Sequence, residues 1–205
     1  MNRWQCAITW LITIMLTPLI LVIIFICAVL IVLINGYAPF FRQERIGKNG
    51  QPFICYKLQT MRPLREGEEY LNPEHNARRS NWLGNFLRDH GLDELPQLLN
   101  IYLGEMALIG PRPLMQKNID MIRGKNDECV AVVNCWLQHR SPLLPGITGW
   151  HQVNSSGPGI MHFDFAYVDG LPWRKFWIIL WRSLWVIPAS KEQLPGHTAT
   201  SSVFS

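Results

Sequence analysis

The segment Leu92-Asp93-Glu94-Leu95-Pro96-Gln97-Leu98-Leu99-Asn100 organises the soluble part of this 205-residue chain. At about 100° per residue, Leu92, Leu95 and Leu99 share one helical face with Tyr102 and Leu103, while the face beside it is polar. Pro96 is tolerated only in the first turn of a helix, and a glycine such as Gly104 commonly follows a helix end. The pattern therefore predicts a short amphipathic helix that begins at or near Asp93.

The adjacent carboxylates Asp93 and Glu94 allow two interpretations. Asp93 is a residue type that caps helices, and capping is its commoner use in this position. Alternatively, helix N–H groups keep Asp93 ionised beside phosphates, and an ionised carboxylate attacks phosphorus to form an aspartyl phosphate. The helix pattern alone leaves both interpretations open.

Composition limits the class of protein. The length suits one modest domain with attachments, and 48% of the residues are hydrophobic. A formal charge of +4 suits an anionic membrane surface or phosphorylated substrates, and it is too weak to indicate nucleic acid. No two cysteines form a CxxC pair, which predicts reduced thiols facing a cytoplasm and no zinc site; they are Cys6, Cys27, Cys55, Cys129 and Cys135.

The N-terminal region predicts membrane insertion. No charged residue occurs from Cys6 to Phe41, and a helix of that length would exceed the ~30 Å hydrocarbon core. Thr17-Pro18 interrupts the run, so we expect a kink there, with the Thr17 hydroxyl bonding a freed carbonyl. Basic residues flank both ends, so charge gives no orientation. Residues 1–36 either span the membrane as a tilted helix or bend and return to the same face.

Three cations of the soluble part are candidate phosphate ligands. Residues 53–58 read as a short strand that places Lys57 near its end, and residues 80–88 read as a helix that brings Arg88 towards Asp93. Arg112 stands between two prolines, which fix the backbone around a guanidinium suited to phosphate. For Lys57 and Arg88 a plain surface charge is the commoner case. Glu105 is either a ligand or a solvated carboxylate, and the second is favoured.

Two further segments follow in the C-terminal half. Residues 144–154 contain Pro-Gly and Gly-Trp steps, which predict a shaped loop, and the lone His151 is more often structural than catalytic. Tryptophans recur every four residues at Trp173, Trp177, Trp181 and Trp185. This spacing predicts an amphipathic helix over residues 171–188, for which the membrane interface is favoured over a place in the core. Residues 189–205 form a polar tail.

Together these motifs resemble the bacterial sugar transferases, the monotopic phosphoglycosyl transferases that load sugars onto polyprenol phosphate. The resemblance extends from about residue 7 to about residue 188. It is carried by Phe40-Phe41-Arg42-Gln43-Glu44-Arg45-Ile46-Gly47, Tyr56-Lys57 with Thr60-Met61, Leu92 to Asn100, Gly104-Glu105-Met106, Gly110-Pro111-Arg112-Pro113 and Pro145-Gly146-Ile147-Thr148-Gly149-Trp150 with Gln152-Val153-Asn154.

The resemblance implies an α/β fold, mostly helical, with a small cytoplasmic domain over residues 37–170, a re-entrant N-terminal helix broken at Thr17-Pro18, and amphipathic helices on the inner leaflet. It implies that Asp93 and Glu94 are the catalytic dyad and that Asp93 also lies beside the metal, Mg²⁺. Lys57, Arg88 and Arg112 would hold phosphates. The implied reaction passes through a phosphosugar on Asp93, made from a nucleotide diphosphosugar such as a UDP-sugar with release of UMP, and delivers it to polyprenol phosphate.

The implied location is the cytoplasmic face of the bacterial inner membrane, in contact with its lipids, and a homodimer is left open. Three positions depart from the family pattern without touching the dyad: Gln5 replaces an aspartate, Gln59 an arginine, and Ser155-Ser156 a Gly-Arg pair. These departures leave open a catalytically silent membrane scaffold for polysaccharide assembly. A further alternative is a membrane-bound hydrolase of nucleotide sugars, with water as the acceptor.

Overall fold

A computed structural model describes residues 3–66, 73–123, 134, 138, 142–153, 167 and 170–185. Within these residues the chain is mostly helical, as the family resemblance implied, and it has two small two-stranded sheets. The polar tail, Ser155-Ser156, Cys129 and Cys135 lie outside the described residues, as do the side chains of His151 and Trp185.

The described helices and strands have the following bounds. The helices are α1 (Arg3–Asn35), α2 (Pro73–Arg79), α3 (Trp82–Asp89), α4 (Leu98–Tyr102), α5 (Gln116–Arg123), α6 (Trp150–Val153) and α7 (Trp173–Trp185), and the strands are β1 (Phe40–Ile46), β2 (Pro52–Leu58), β3 (Ala107–Ile109) and β4 (Gly146–Thr148). Short 3₁₀ segments occupy Lys48–Gly50 and Leu92–Gln97. The predicted strand that carries Lys57 and the predicted helix that carries Arg88 are both confirmed.

Helix α1 is continuous through Pro18, where the sequence predicted a break. The Thr17 hydroxyl donates to the Thr13 carbonyl at 2.7 Å, one residue before the Ile14 carbonyl that Pro18 cannot bond. Among the described helices, α1 alone is long and apolar enough to cross a membrane, and most of its apolar side chains are exposed. Whether the helix returns to the face it entered stays a prediction.

Both ends of α1 contact the same soluble body. Near its start, the buried Gln5 side-chain amide donates to the Leu171 carbonyl at 2.8 Å. At its middle, the Thr17 and Tyr102 hydroxyls lie 2.6 Å apart, and at its end Asn35 accepts from the Asn81 amide. Gln5 therefore makes a buried anchoring contact although it departs from the family's aspartate.

The two sheets place the residues that matter for the site. Strands β1 and β2 form an antiparallel hairpin in which Lys57 lies opposite Phe41. Strands β3 and β4 pair in parallel, with Ala107 opposite Gly146. The segment predicted as a shaped loop therefore contains a strand and the short helix α6. An alanine Cβ at Gly146 would lie 2.0 Å from the Gly110 nitrogen, so this close pairing requires glycine.

Helix α7 combines the two interpretations of the tryptophan repeat. Its Phe176 and Ile179 side chains are fully buried in a cluster with Ile109 and Val153. On another face the indoles are exposed, by 42% at Trp173, 52% at Trp177 and 65% at Trp181. One face of α7 thus belongs to the core, and the aromatic face is exposed, as in helices that lie at a membrane interface.

Candidate active site

Asp93 and Glu94 lie in the 3₁₀ segment Leu92–Gln97, which leads directly into α4. The predicted single α-helix is therefore two short pieces, because Pro96 cannot donate an N–H to a longer α-helical ladder. The residue at the N-cap is Gly91, whose φ of 61° is left-handed. Asp93 is therefore not the cap, and its buried Oδ1 has no hydrogen-bond partner. The capping interpretation is wrong.

Glu94 gathers two of the predicted phosphate ligands. The Lys57 ammonium lies 2.8 Å from Glu94 Oε1, and the Arg112 guanidinium lies 3.1 Å from the same oxygen. All three side chains are largely buried, with exposures of 14% for each cation and 7% for the carboxylate. A single carboxylate oxygen therefore serves as the counter-ion for two cations that come from different parts of the chain.

The electrostatics separate the two carboxylates. Burial would raise the pKa of Glu94, but the charges of Lys57 and Arg112 outweigh it and lower that pKa to about 2. Burial raises the pKa of Asp93 to about 6, and the Lys57 charge offsets it only in part. Burial alone would lower the pKa of Lys57, but the charge of Glu94 outweighs burial, so the pKa of Lys57 is raised. Near neutral pH, Glu94 is a fixed anion and Asp93 is the carboxylate that titrates.

Arg88 lies apart from this ion pair network. Its guanidinium donates to the Asn85 side-chain oxygen and to the Ser80 hydroxyl. Its charge still acts on Asp93, where it contributes to lowering the pKa against the effect of burial. The structure therefore brings Lys57 and Arg112 onto Glu94, whereas Arg88 stays on α3 and affects Asp93 only through its charge.

Arg45 is a residue of the site that sequence reasoning did not single out. Its side chain is buried, donates to the Pro113 carbonyl at 3.1 Å and to Gln43 Oε1 at 2.9 Å, and lines a cavity of about 10 Å³ with Lys57 and Glu94. It thus supports the turn that carries Arg112. The sequence could have indicated Arg45 only through its place in the Phe40–Gly47 motif, because the Pro113 carbonyl that it bonds lies 68 residues away.

Asn100 is the second such residue. Its fully buried amide donates to the Ile54 carbonyl and to Glu105 Oε2, each at 2.7 Å, and its oxygen accepts from the Tyr56 N–H at 3.2 Å. It therefore fastens α4, which follows the dyad, to β2, which carries Lys57. Glu105 is half-buried and bonded, so the expectation of a solvated carboxylate is wrong.

The donor set suits a cation that brings some of its own ligands. Among the described residues, no cluster contains three or more His, Cys, Asp or Glu side chains. Mg²⁺ usually binds one or two carboxylates and takes its other ligands from water and substrate phosphates. The buried, unpartnered Oδ1 of Asp93 fits such an ion, whereas Glu94 Oε1 is already bonded to two cations.

Comparison with known proteins identifies relatives of this chain. A family model described as bacterial sugar transferase matches residues 2–189. The uncharacterized sugar transferase EpsL of Bacillus subtilis is 37% identical over 138 residues, which cover 65% of this chain and 62% of that protein. The exopolysaccharide production protein ExoY of Rhizobium meliloti is 35% identical over 156 residues, covering 66% of this chain and 63% of that protein.

The UDP-glucose:undecaprenyl-phosphate glucose-1-phosphate transferase of Escherichia coli is also similar, with 34% identity over 129 residues. That match covers 62% of this chain but only 26% of the relative. The chain therefore spans about a quarter of this longer transferase and less than two thirds of the other two relatives.

Proposed function

The chain belongs to the bacterial sugar transferase family, and on that premise we propose that it transfers a phosphosugar from a UDP-sugar to polyprenol phosphate, undecaprenyl phosphate being the bacterial form. The observation that carries the proposal is the pairing of an unpartnered, buried Asp93 with two cations held on the neighbouring Glu94. A relative named for this reaction supports the choice of substrates.

Asp93 performs the first chemical step. Its carboxylate oxygen attacks the β-phosphorus of the nucleotide diphosphosugar, and the bond from that phosphorus to the bridging oxygen breaks, so UMP leaves with the electron pair. The phosphosugar is then bound to Asp93. Lys57 and Arg112 stabilise the charge that develops on the phosphoryl oxygens, and a Mg²⁺ ion held by Asp93 and the substrate phosphates would supply further positive charge.

Polyprenol phosphate completes the cycle. A phosphate oxygen of the lipid attacks the phosphorus of the phosphosugar, the bond to Asp93 breaks, and the carboxylate is regenerated. The product is a polyprenyl diphosphosugar. Because Asp93 has a raised pKa and remains mostly ionised near pH 7, it is a stronger nucleophile than an ordinary aspartate while still carrying its charge.

The membrane arrangement is part of the same proposal. Both ends of α1 contact one soluble body, through Gln5 at the start and Asn35 at the end. A straight spanning helix would separate its ends by the ~30 Å hydrocarbon core, so these contacts favour a helix that stays on one side of the membrane. We propose that this side is the cytoplasmic face of the inner membrane, where nucleotide sugars are available.

Turnover by purified protein tests the function. In lipid nanodiscs with Mg²⁺ and a panel of UDP-sugars, we expect one UMP per enzyme without polyprenol phosphate, and continuous UMP release with lipid product when it is added. Asp93→Asn should lose at least about 10³-fold in rate, because the attacking carboxylate is gone. Asp89→Asn, an exposed position on α3, is the matched control.

The other outcomes separate the alternatives. UMP release without a lipid product would favour the nucleotide-sugar hydrolase, and no UMP from any sugar would favour the silent scaffold. Full turnover by Asp93→Asn would show that the nucleophile is assigned wrongly, whichever reaction is observed.

A further inference from the structure

A second cavity, of about 270 Å³, opens between α1 and the soluble body. One wall comes from a single face of α1, at positions Cys6, Thr9, Trp10 and Thr13, which are spaced as neighbours on a helix. The opposite wall consists mainly of apolar side chains from α4, β3 and the segment before β4, namely Ile101, Met106, Leu108, Ile109, Leu143 and Leu144.

The lining offers little to a polar ligand. The Thr9 hydroxyl donates to the Cys6 carbonyl at 2.9 Å and the Thr13 hydroxyl to the Thr9 carbonyl at 2.7 Å, so both are used within α1. Lys48 is the only charged residue among the described lining residues, and it is exposed. A cavity with apolar walls favours an apolar occupant over water. An anionic molecule with a hydrocarbon chain matches both the walls and the single positive charge.

The cavity lies between α1, the helix proposed to lie in the membrane, and the turn that carries Arg112. On the other side, Gly110 and Pro111 line this cavity, whereas the next two residues, Arg112 and Pro113, line the small cavity at Glu94. A single four-residue turn therefore separates an apolar space from the cations proposed to hold phosphate.

We propose that this cavity binds the part of the polyprenol chain nearest the phosphate, so that α1 and β3 hold the lipid acceptor while its phosphate reaches Asp93 around the Gly110–Pro113 turn. The inference rests on the proposed function and adds a binding site to it. The site serves only the second half of the reaction. The first half, release of UMP from the UDP-sugar, does not need it.

Filling the cavity tests this division. Ala107 lines it, and Ala107→Leu adds three carbon atoms to its wall. We expect KM for polyprenol phosphate to rise about tenfold, the loss that follows when about two methylene-sized contacts are excluded. The single UMP released per enzyme in the absence of lipid should keep its rate and amplitude. The control, Ala7→Leu, adds the same atoms to an exposed position of α1 outside the lining and should leave both half-reactions unchanged.

The outcomes distinguish the two levels of inference. If the unsubstituted protein releases no UMP, the proposed function fails. If it does, and Ala107→Leu leaves KM for polyprenol phosphate unchanged, the cavity assignment fails alone. An equal slowing of UMP release in the absence of lipid would also overturn the assignment, because the cavity would then affect the sugar-nucleotide step.

A second measurement leaves the wall of the cavity unchanged. Cys6 lines the cavity and is exposed, whereas Cys27 and Cys55 are buried. With Cys129 and Cys135 replaced by serine, we expect polyprenol phosphate in nanodiscs to slow alkylation of Cys6 by N-ethylmaleimide. A matching amount of added phospholipid should not. Equal protection by phospholipid, or no protection by polyprenol phosphate, would overturn the proposal.

Discussion

The two sides of the Gly110–Pro113 turn differ in both size and chemistry. On the dyad side the cavity is about 10 Å³, and Lys57 and Arg112 converge on one oxygen of Glu94. On the other side the cavity is about 270 Å³ and mostly apolar. Where we expect phosphates to bind, the cations are already paired with the Glu94 carboxylate. Where we expect a hydrocarbon chain to bind, an apolar cavity is open.

This difference suggests how each substrate is received. Two buried cations without a counter-ion would be costly, so Glu94 keeps them in place before the substrate arrives. The diphosphate must then compete with Glu94 for Lys57 and Arg112. An apolar chain needs no such exchange, because burial of its surface is favourable wherever the space exists. On the polar side, Glu94 therefore positions the cations before the substrate binds. On the apolar side, the hydrocarbon chain displaces no ion pair.

Glu94→Gln should disturb the charged side of the Gly110–Pro113 turn, and its effect should be the largest. The amide keeps the shape of Glu94 but leaves Lys57 and Arg112 with no buried negative charge on this side chain. We expect the free energy of unfolding to fall by about 3 kcal/mol, the cost of removing one partner of a buried ion pair. Chemical denaturation in nanodiscs or detergent measures it, and KM for the UDP-sugar should change while KM for polyprenol phosphate does not.

The control is Glu44→Gln, which neutralises an exposed carboxylate of β1 and should be nearly silent. If Glu94→Gln were as stable as this control, the ion pair would not organise the site.

Gly146→Ala should disturb the small cavity at Glu94 and the apolar cavity together. The added Cβ would lie 2.0 Å from the Gly110 nitrogen and 2.6 Å from the Thr148 carbonyl oxygen, so the turn must move. We expect a loss of about 2 kcal/mol in unfolding free energy, typical of an overpacked site, and higher KM values for both substrates.

Gly36→Ala is the comparison. Gly36 has a positive φ of 72°, and an added Cβ there would contact nothing within 4 Å. It should cost only the backbone strain, about 1 kcal/mol, and leave both KM values unchanged. If Gly146→Ala changed one KM alone, the turn would not link the two sides.

The smallest effect is a pH dependence that distinguishes the two carboxylates. Attack requires ionised Asp93, whose pKa is about 6, so UMP release in a single turnover should fall as the pH drops through 6 and reach about a tenth of its maximum at pH 5. An ordinary aspartate would show no decline there. Circular dichroism at each pH excludes unfolding as the cause, and a rate that is constant down to pH 5 would contradict the assignment.

The same titration affects stability in the opposite sense. Because the folded pKa of Asp93 lies above its usual value, its contribution to stability is present below about pH 4 and is lost as the pH rises towards 6. For Glu94, whose pKa is lowered, stability is present above its usual pKa and is lost as the pH falls towards 2. The carboxylate that we propose as the nucleophile is thus the one whose charge works against folding.

Local pattern was enough to find several of these features. Asp93 and Glu94 stand at a recognisable helix start, and the prolines around Arg112 mark a rigid turn. The strand that carries Lys57 could be predicted because alternating apolar residues bury one of its faces. In each case the determining residues are close together in the sequence, which is where propensity and periodicity carry information.

Other features depend on distant parts of the chain. Arg45 belongs to the site only because its guanidinium reaches the Pro113 carbonyl, and β4 forms only because Gly146 packs on Gly110. Three-residue strands give no periodic signal of their own. The continuous α1 shows the reverse case, in which the surrounding helix outweighs the local tendency of Pro18 to break it.

The bond between Gln5 and the Leu171 carbonyl also has a consequence for biosynthesis, because its partners are separated by 166 positions. Helix α1 must therefore wait until the chain has been made as far as Leu171 before this contact can form. During that interval, the exposed apolar surface of α1 needs the bilayer as its environment. Membrane insertion would then come first, and the soluble body would assemble on a helix already in place.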